Sequence, residues 1–354
     1  MKRQLAALLL TIFALSLTAC GETATESETR TVYAMDTVMN LTVYGENAAA
    51  ALESAEKELH TLDEAVLSRT AEGSELYALN TSNGETFEYG ADDILPTLIE
   101  TALTISDATD GAFDPTLAPV LDAWGFTKDE RRVPSADELK ELLSHTGCGK
   151  VALEKTADGW TVTLLDGAQL DLGGIAKGYA SDCAAVLFHR SALTGGCANL
   201  GGNVYVYGTN AQNKPWSVAI QDPADSEGYV CTLSLSDAFV VTSGGYQRYF
   251  TAPDGTVYQH ILDPKTGYPV QSDLTSVSVV TRGGFGGQGT RADAYSTALY
   301  VMGEQGAVDF WRSQDMSFDM VLITRDGRVV YTPGLADCFN EKDGTAYVYQ
   351  LLAA

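Results

Sequence analysis

Basic residues are scarce in this chain: 22 Lys and Arg face 47 Asp and Glu across 354 residues, a formal net charge of −25. Proteins hold nucleic acid chiefly by neutralising its phosphates with Lys and Arg, so that class of partner is excluded. A polybasic membrane-binding patch is excluded for the same reason. Any anionic ligand must be met by local means: a helix N-terminus, a lone Lys or a metal ion. Histidine is rarer, with four copies and no second one near His260 in sequence, which argues against a His-based metal centre. The six cysteines contain no CxxC. Apart from Cys20, they are Cys148, Cys183, Cys197, Cys231 and Cys338, odd in number and widely spaced. Neither a zinc site nor a disulfide scaffold is indicated. Cys183 and Cys197 read as small core residues, and one disulfide of unreadable pairing stays open.

What the chain does have is apolar residues. They make up 45 % of it, enough for a large core, and the length leaves room for two domains or one large unit. At the N-terminus, Lys2 and Arg3 precede an apolar run from Leu5 to Leu17 and then small residues up to Cys20. Residues 1–19 form a secretory signal, with an apolar run too short to span a membrane comfortably. Leu17-Thr18-Ala19-Cys20 resembles a bacterial lipobox, in which Cys20 becomes the lipidated first residue; a plain signal peptide with an incidental Cys is the alternative. Residues 20–30 lack apolar periodicity and read as a flexible acidic tether. The expectation is an exported protein, lipid-anchored at the cell membrane and facing the extracytoplasmic side or periplasm.

From Thr31 the pattern alternates between strands and helices. A hairpin around Asp36-Thr37, helices over about 47–66, 92–107 and 135–144, and a hairpin joined at Asp158-Gly159 come first. A helix from the glycine turn at 171–174 to about Phe188 follows, then strands near 198–200, 204–207, 216–220, 230–235, 239–242 and 275–280. A helix over 292–302 and strands near 320–324, 328–331 and 346–350 close the chain. Hairpin-linked strands with interspersed helices predict an α+β fold with largely antiparallel sheets. Residues 31–354 are expected to form that folded unit.

Four segments place polar groups beside glycine or at helix starts. In Gly111-Ala112-Phe113-Asp114-Pro115, the proline pushes Asp114 extended and can aim its carboxylate outward; a proline turn with a capping Asp is the plainer reading. In Asp171-Leu172-Gly173-Gly174-Ile175-Ala176-Lys177-Gly178-Tyr179, two glycines open a helix with Lys177 one turn in, which suits a pyrophosphate. Gly178 stands where a Walker A loop needs Ser or Thr, and the dinucleotide GxGxxG does not fit there either. His260, ending a strand before Ile261-Leu262-Asp263-Pro264, is a candidate general base or a turn-stabilising His. In Ala292–Ala298, Asp293, Ser296 and Thr297 share one helix face. That all-oxygen set suits Mg²⁺ or Ca²⁺, not zinc; the plainer reading is an N-cap Asp with two hydroxyls bonded back to carbonyls.

Taken in order and spacing, these segments resemble the ApbE family of FAD:protein FMN transferases, from about Thr31 to Ala354. The matching pieces also include Ala34-Met35-Asp36-Thr37, Asn199-Leu200-Gly201-Gly202-Asn203 and Thr242-Ser243-Gly244-Gly245-Tyr246. The resemblance implies an ApbE-like (T-fold-like) architecture and a Mg²⁺-dependent transfer of FMN from FAD to a Ser/Thr hydroxyl, releasing AMP. It implies that Met35, Ala112, Phe113, Asp114, Asp171, Lys177 and Ile261 contact FAD, with Mg²⁺ on Asp293, Ser296 or its backbone, Thr297 and the backbone carbonyl of Gly174, and His260 as base. The pattern departs at Thr70, where many members carry an aromatic residue that stacks on the flavin or adenine. Asp293–Leu299 imitates the family's acceptor pattern, but Leu299 has no hydroxyl, so self-flavinylation is not expected. Acceptors would be exported or membrane-bound subunits of redox complexes. An FAD pyrophosphatase giving FMN and AMP, and a non-catalytic flavin-binding lipoprotein, are the alternative readings.

Overall fold

A computed structural model describes residues 27–353 apart from 129 and 284. The signal segment, Cys20 and most of the expected tether lie outside the described residues. At the centre is a nine-stranded sheet in the order β1-β2-β6-β7-β10-β13-β14-β15-β17. Its strands are β1 (Ser27–Ala34), β2 (Thr37–Tyr44), β6 (Gly195–Leu200), β7 (Asn203–Gly208), β10 (Ala238–Gly244), β13 (Leu274–Arg282), β14 (Asp319–Thr324), β15 (Arg328–Tyr331) and β17 (Val348–Leu351). Every pairing is antiparallel except β15 with β17, as the hairpin-rich pattern predicts for an α+β fold. β1 begins earlier than composition suggested. Ser27–Arg30 pair with Leu41–Tyr44, and Arg30 reaches Glu56 at 2.5 Å, so these four residues belong to the folded unit and not to the tether.

The middle strands are buried on both faces. Phe239, Val241, Val277, Val279, Met320 and Leu322 pack with the helices. The alternate residues Val240, Val280, Val321 and Ile323 pack with a second sheet, which explains the near-continuous apolar runs. That sheet joins β8 (Trp216–Asp222), β9 (Asp225–Leu235) and β16 (Phe339–Glu341). The helical layer contains α1 (Ala48–Thr61), which runs on as a π-helical segment over Leu62–Leu67, and α3 (Ile94–Ala108), after the short α2 (Glu75–Asn80). α6 (Gly173–Arg190) and α7 (Gln288–Ser313) complete it, and α7 breaks at Gly303, whose φ of 75° and ψ of 179° are not helical. The expected helix over 292–302 is therefore the first half of a broken pair.

Two smaller units flank this core. β3 (Phe87–Gly90), β4 (Val151–Lys155) and β5 (Gly159–Leu164) form a three-stranded sheet. α4 (Ala118–Trp124) and α5 (Ala136–Leu143), the latter capped by Ser135 accepting from the Glu138 amide at 3.2 Å, surround a cluster centred on Trp124. Phe250 and Tyr258 of the hairpin β11 (Tyr249–Thr251) and β12 (Val257–Gln259) pack against that cluster. The five cysteines among the described residues are free thiols. Cys183 and Cys197 pack against apolar clusters, and burial pushes their thiols up to about 12 and about 11.

Candidate active site

The start of α6 assembles first. Asp171 accepts from the Gly173 amide at 2.8 Å, which fixes the chain as it turns into the helix. Its second oxygen holds the Arg69 Nε at 2.7 Å, and Arg69 reaches Asp122 at 2.6 Å. One turn in, Lys177 places its ammonium 3.4 Å from the Gly173 carbonyl, and its charge acts on both Asp293 and His260.

α6 then crosses α7 at a contact of backbone on backbone. A Cβ on Gly178 would lie 2.4 Å from the Gly289 carbonyl oxygen and 2.7 Å from the Asp293 Cβ. This closeness lets the Gly178 amide donate to Asp293 Oδ2 at 2.7 Å. In a regular helix that amide closes on the carbonyl four residues back, here Gly174, so the contact ties Asp293 to the turn of α6 that carries Gly174. A Cβ on Gly174 would lie 3.7 Å from Thr297 Oγ1, so the carbonyl's residue and the hydroxyl are neighbours. Burial pushes the Asp293 carboxyl up, while Lys177, the Gly178 amide and the nearby Asn203 pull it down.

The hydroxyls beside Asp293 have a direction. Ser296 Oγ donates to the Asp293 carbonyl at 2.8 Å, so the 2.7 Å contact with Ser243 Oγ takes its proton from Ser243. The 3.3 Å contact between Ser243 and Thr297 then takes its proton from Thr297. The chain of protons runs inward and leaves the lone pairs of Thr297 free on the cleft side. Ser296 is fully buried, one layer behind Thr297, with the back-bonded hydroxyl that the plainer reading described. Asp293, Thr297 and the Gly174 carbonyl make an oxygen-only donor set that fits Mg²⁺ with its remaining positions open to water or phosphate. Among the described residues no cluster of three His, Cys, Asp or Glu exists that could hold a metal by itself, consistent with a site that relies on hydroxyl and carbonyl oxygens.

Across the cleft, His260 is half-buried. Its Nδ1 lies 3.1 Å from the Arg248 carbonyl, which only accepts, so Nδ1 carries the proton and Nε2 is the basic nitrogen. Removal from water and the charges of Arg248 and Lys177 push the imidazole down to about 4. Arg248 also donates to the Asp36 carbonyl at 3.1 Å, tying the bend before β11 to the β1–β2 turn. Met35 and Asp36 there have φ of 50° and 56°, the left-handed pair a tight hairpin requires. Asp114 accepts from the Thr116 amide at 2.8 Å and its hydroxyl at 2.5 Å, the turn anticipated as its plainer role.

All these groups face one cleft of about 800 Å³. It is lined by Met35, Ala112, Phe113, Asp114, Asp171, Gly174, Lys177, His260, Ile261, Asp293 and Thr297, every expected site residue in the described region except Ser296. Thr70 lines it too, as do Arg69, Asn203, Ser243 and Arg248, to which sequence reasoning assigned no role. Ser243 and Asn203 fall inside glycine-rich segments singled out above, and that was their available signal. Arg69 and Arg248 carried none.

The ApbE family matches residues 35–322. The chain is 34 % identical over 336 residues to the FAD:protein FMN transferase of Treponema pallidum (strain Nichols), covering 90 % of this chain and 91 % of that one. The FAD:protein FMN transferase of Escherichia coli (strain K12) is 28 % identical over 299 residues, 83 % of each chain. Among solved structures, the ApbE protein of Thermotoga maritima aligns with a TM-score of 0.79 at 31 % identity, over 90 % of this chain and all of the other. The apo flavinyl transferase ApbE of Pseudomonas stutzeri aligns at 0.75 and 24 % identity, over 91 % of this chain and all of the other, a likeness of fold.

The His260 environment predicts a pH dependence of stability. Its imidazole titrates at about 4 in the fold against 6.5 ordinarily, so between those values the unfolded chain binds more protons. Stability contributed by the neutral ring is present above pH 6.5 and is lost as pH falls toward 4, by up to about 3 kcal/mol. Urea unfolding of wild type and His260→Gln at pH 7 and pH 4.5 checks this. The stability of wild type relative to the variant should fall at the lower pH; a constant difference contradicts it.

Proposed function

The chain belongs to the ApbE family, and from that premise we propose that it is an FAD:protein FMN transferase. It moves FMN from FAD to a Ser or Thr hydroxyl of a partner protein through a phosphoester bond and releases AMP. The observation that carries this reading is the carboxylate of Asp293, buried at the helix crossing beside Thr297, with Lys177 on one side and a neutral imidazole across the cleft. Lys177 and the glycine-flanked start of α6 meet the pyrophosphate. Asp293, Thr297 and the Gly174 carbonyl would hold Mg²⁺, which when bound would neutralise charge on the pyrophosphate, worth on the order of several kcal/mol at the transition state. His260 Nε2 takes the proton of the acceptor hydroxyl as its oxygen bonds to the FMN phosphorus. The bond from that phosphorus to the bridging oxygen breaks, and AMP leaves with the bonding pair. The Arg248 carbonyl holds the His260 tautomer that this step requires. A base so placed contributes about 10²–10⁴ in rate. Being neutral above about pH 4, it is competent throughout the neutral range.

The lipobox-like Leu17–Cys20 segment supports a further part of this reading. The enzyme is exported, anchored by lipid on Cys20 at the cell membrane, and acts on exported or membrane-bound flavoprotein subunits of redox complexes. Mass spectrometry of the mature chain should find a lipidated Cys20 as its first residue; an unmodified N-terminus at another residue contradicts the anchor.

Incubating the protein with FAD, Mg²⁺ and an acceptor peptide tests the activity. Flavin on the peptide with release of AMP is the expected result. Free FMN and AMP with an unmodified peptide would make the protein a pyrophosphatase, and intact FAD a binder. Asp293→Ala should abolish Mg²⁺-dependent transfer, and full activity in that variant removes the metal site from the account.

A further inference from the structure

One side chain in the cleft wall has no task so far. Asn203 opens β7, is fully buried and lines the cleft near Asp293. Neither its Nδ2 nor its Oδ1 has a hydrogen-bond partner among the described residues. A buried carboxamide unpaired at both ends is costly, and an apolar side chain of similar shape would avoid that cost. The backbone nonetheless holds it in place. Gly201 and Gly202, with φ of 68° and 94°, turn the chain sharply into β7. Pairing then sets Asn203 opposite Val241, two residues before the Ser243 of the hydroxyl chain.

Deepening the transferase reading and resting on it, we propose that Asn203 is a ligand-contacting residue whose carboxamide pairs with the diphosphate and divalent cation held against Asp293. The two ends of an amide need opposite partners. The Nδ2 hydrogens need an acceptor, which a phosphate oxygen provides. The Oδ1 needs a proton donor or a cation, which a divalent ion or its bound water provides. FAD alone brings the first, and FAD with Mg²⁺ brings both. Asn203 lines the same cleft as Asp293, Lys177 and Thr297, so a diphosphate and cation held there are the groups that can meet it.

Thermal unfolding and calorimetric titration of the full chain test this with wild type, Asn203→Leu and Asn203→Ala, the last guarding against overpacking. Each is measured without ligand, with FAD, and with FAD and Mg²⁺. Without ligand, at least one variant should be no less stable than wild type, since the amide it removes has no partner. FAD with Mg²⁺ should raise the wild-type midpoint and raise both variants less. Their Kd for FAD in Mg²⁺ should weaken about tenfold or more, with a smaller loss when Mg²⁺ is withheld. If both variants unfold earlier without ligand yet keep the full ligand-induced shift, Asn203 is a structural residue and the proposal fails. If wild type itself shows no shift with FAD and Mg²⁺, the transferase reading fails first and takes this proposal with it.

Discussion

Everything in the cleft depends on how closely α6 passes α7. At Gly178 and Gly289 the two helices touch through backbone, and a methyl group on either glycine would overlap atoms of the other helix or its neighbours. That approach brings an α6 amide within 2.7 Å of a carboxylate on α7, across 115 residues of sequence. The same contact orients Asp293 and accompanies the placement of Thr297 beside Gly174. Asp182, one turn further along the same face of α6, reinforces it by accepting from the amides of Gly289 and Thr290 at 2.9 and 2.8 Å, which caps the first turn of α7. The glycines here serve proximity, not flexibility.

This arrangement answers the problem the composition raises. A chain of net charge −25 repels a diphosphate at long range, and screening confines that repulsion to about 10 Å. Within that distance the local groups decide. Lys177 and the open end of α6 place positive charge at one point on an acidic surface, and on the proposed reading a cation on Asp293 would add to it. Arg69 lines the cleft as well, but its charge is divided between Asp122 and Asp171, so its evident task is to brace the loop before α6.

Much of this was legible in sequence because it is local. The periodicity of α1 and α3, the hairpins at Asp36 and Asp158, and the glycine turn that opens α6 before Lys177 depend on neighbours within a turn or a strand pair. The order of short polar motifs identified which positions face the cleft. Less legible were elements too short to show a period, such as α2, β3, β11 and β16. The second half of α7 was missed because Gly303 interrupts its pattern. Arg248, Ser243 and Asn203 were missed as site residues because each acquires its role from partners more than fifty residues away or from none within the protein. Ser296 shows the converse. Its helical spacing placed it on the face of Asp293 and Thr297, yet its hydroxyl turns inward to the Asp293 carbonyl. Spacing along a helix fixes the face; the bonding of the hydroxyl decides whether it reaches the ligand.

The central claim is that Asp293, held by the Gly178 amide, uses its charge to bind a cation that in turn binds the diphosphate. Asp293→Asn keeps the size of the side chain and an oxygen for the Gly178 amide, and removes only the charge. The decisive measurement is the calorimetric affinity for FAD with and without Mg²⁺ in wild type and in this variant. The account predicts that Mg²⁺ tightens FAD binding to wild type and leaves the variant unchanged. An equal gain from Mg²⁺ in both proteins would contradict it.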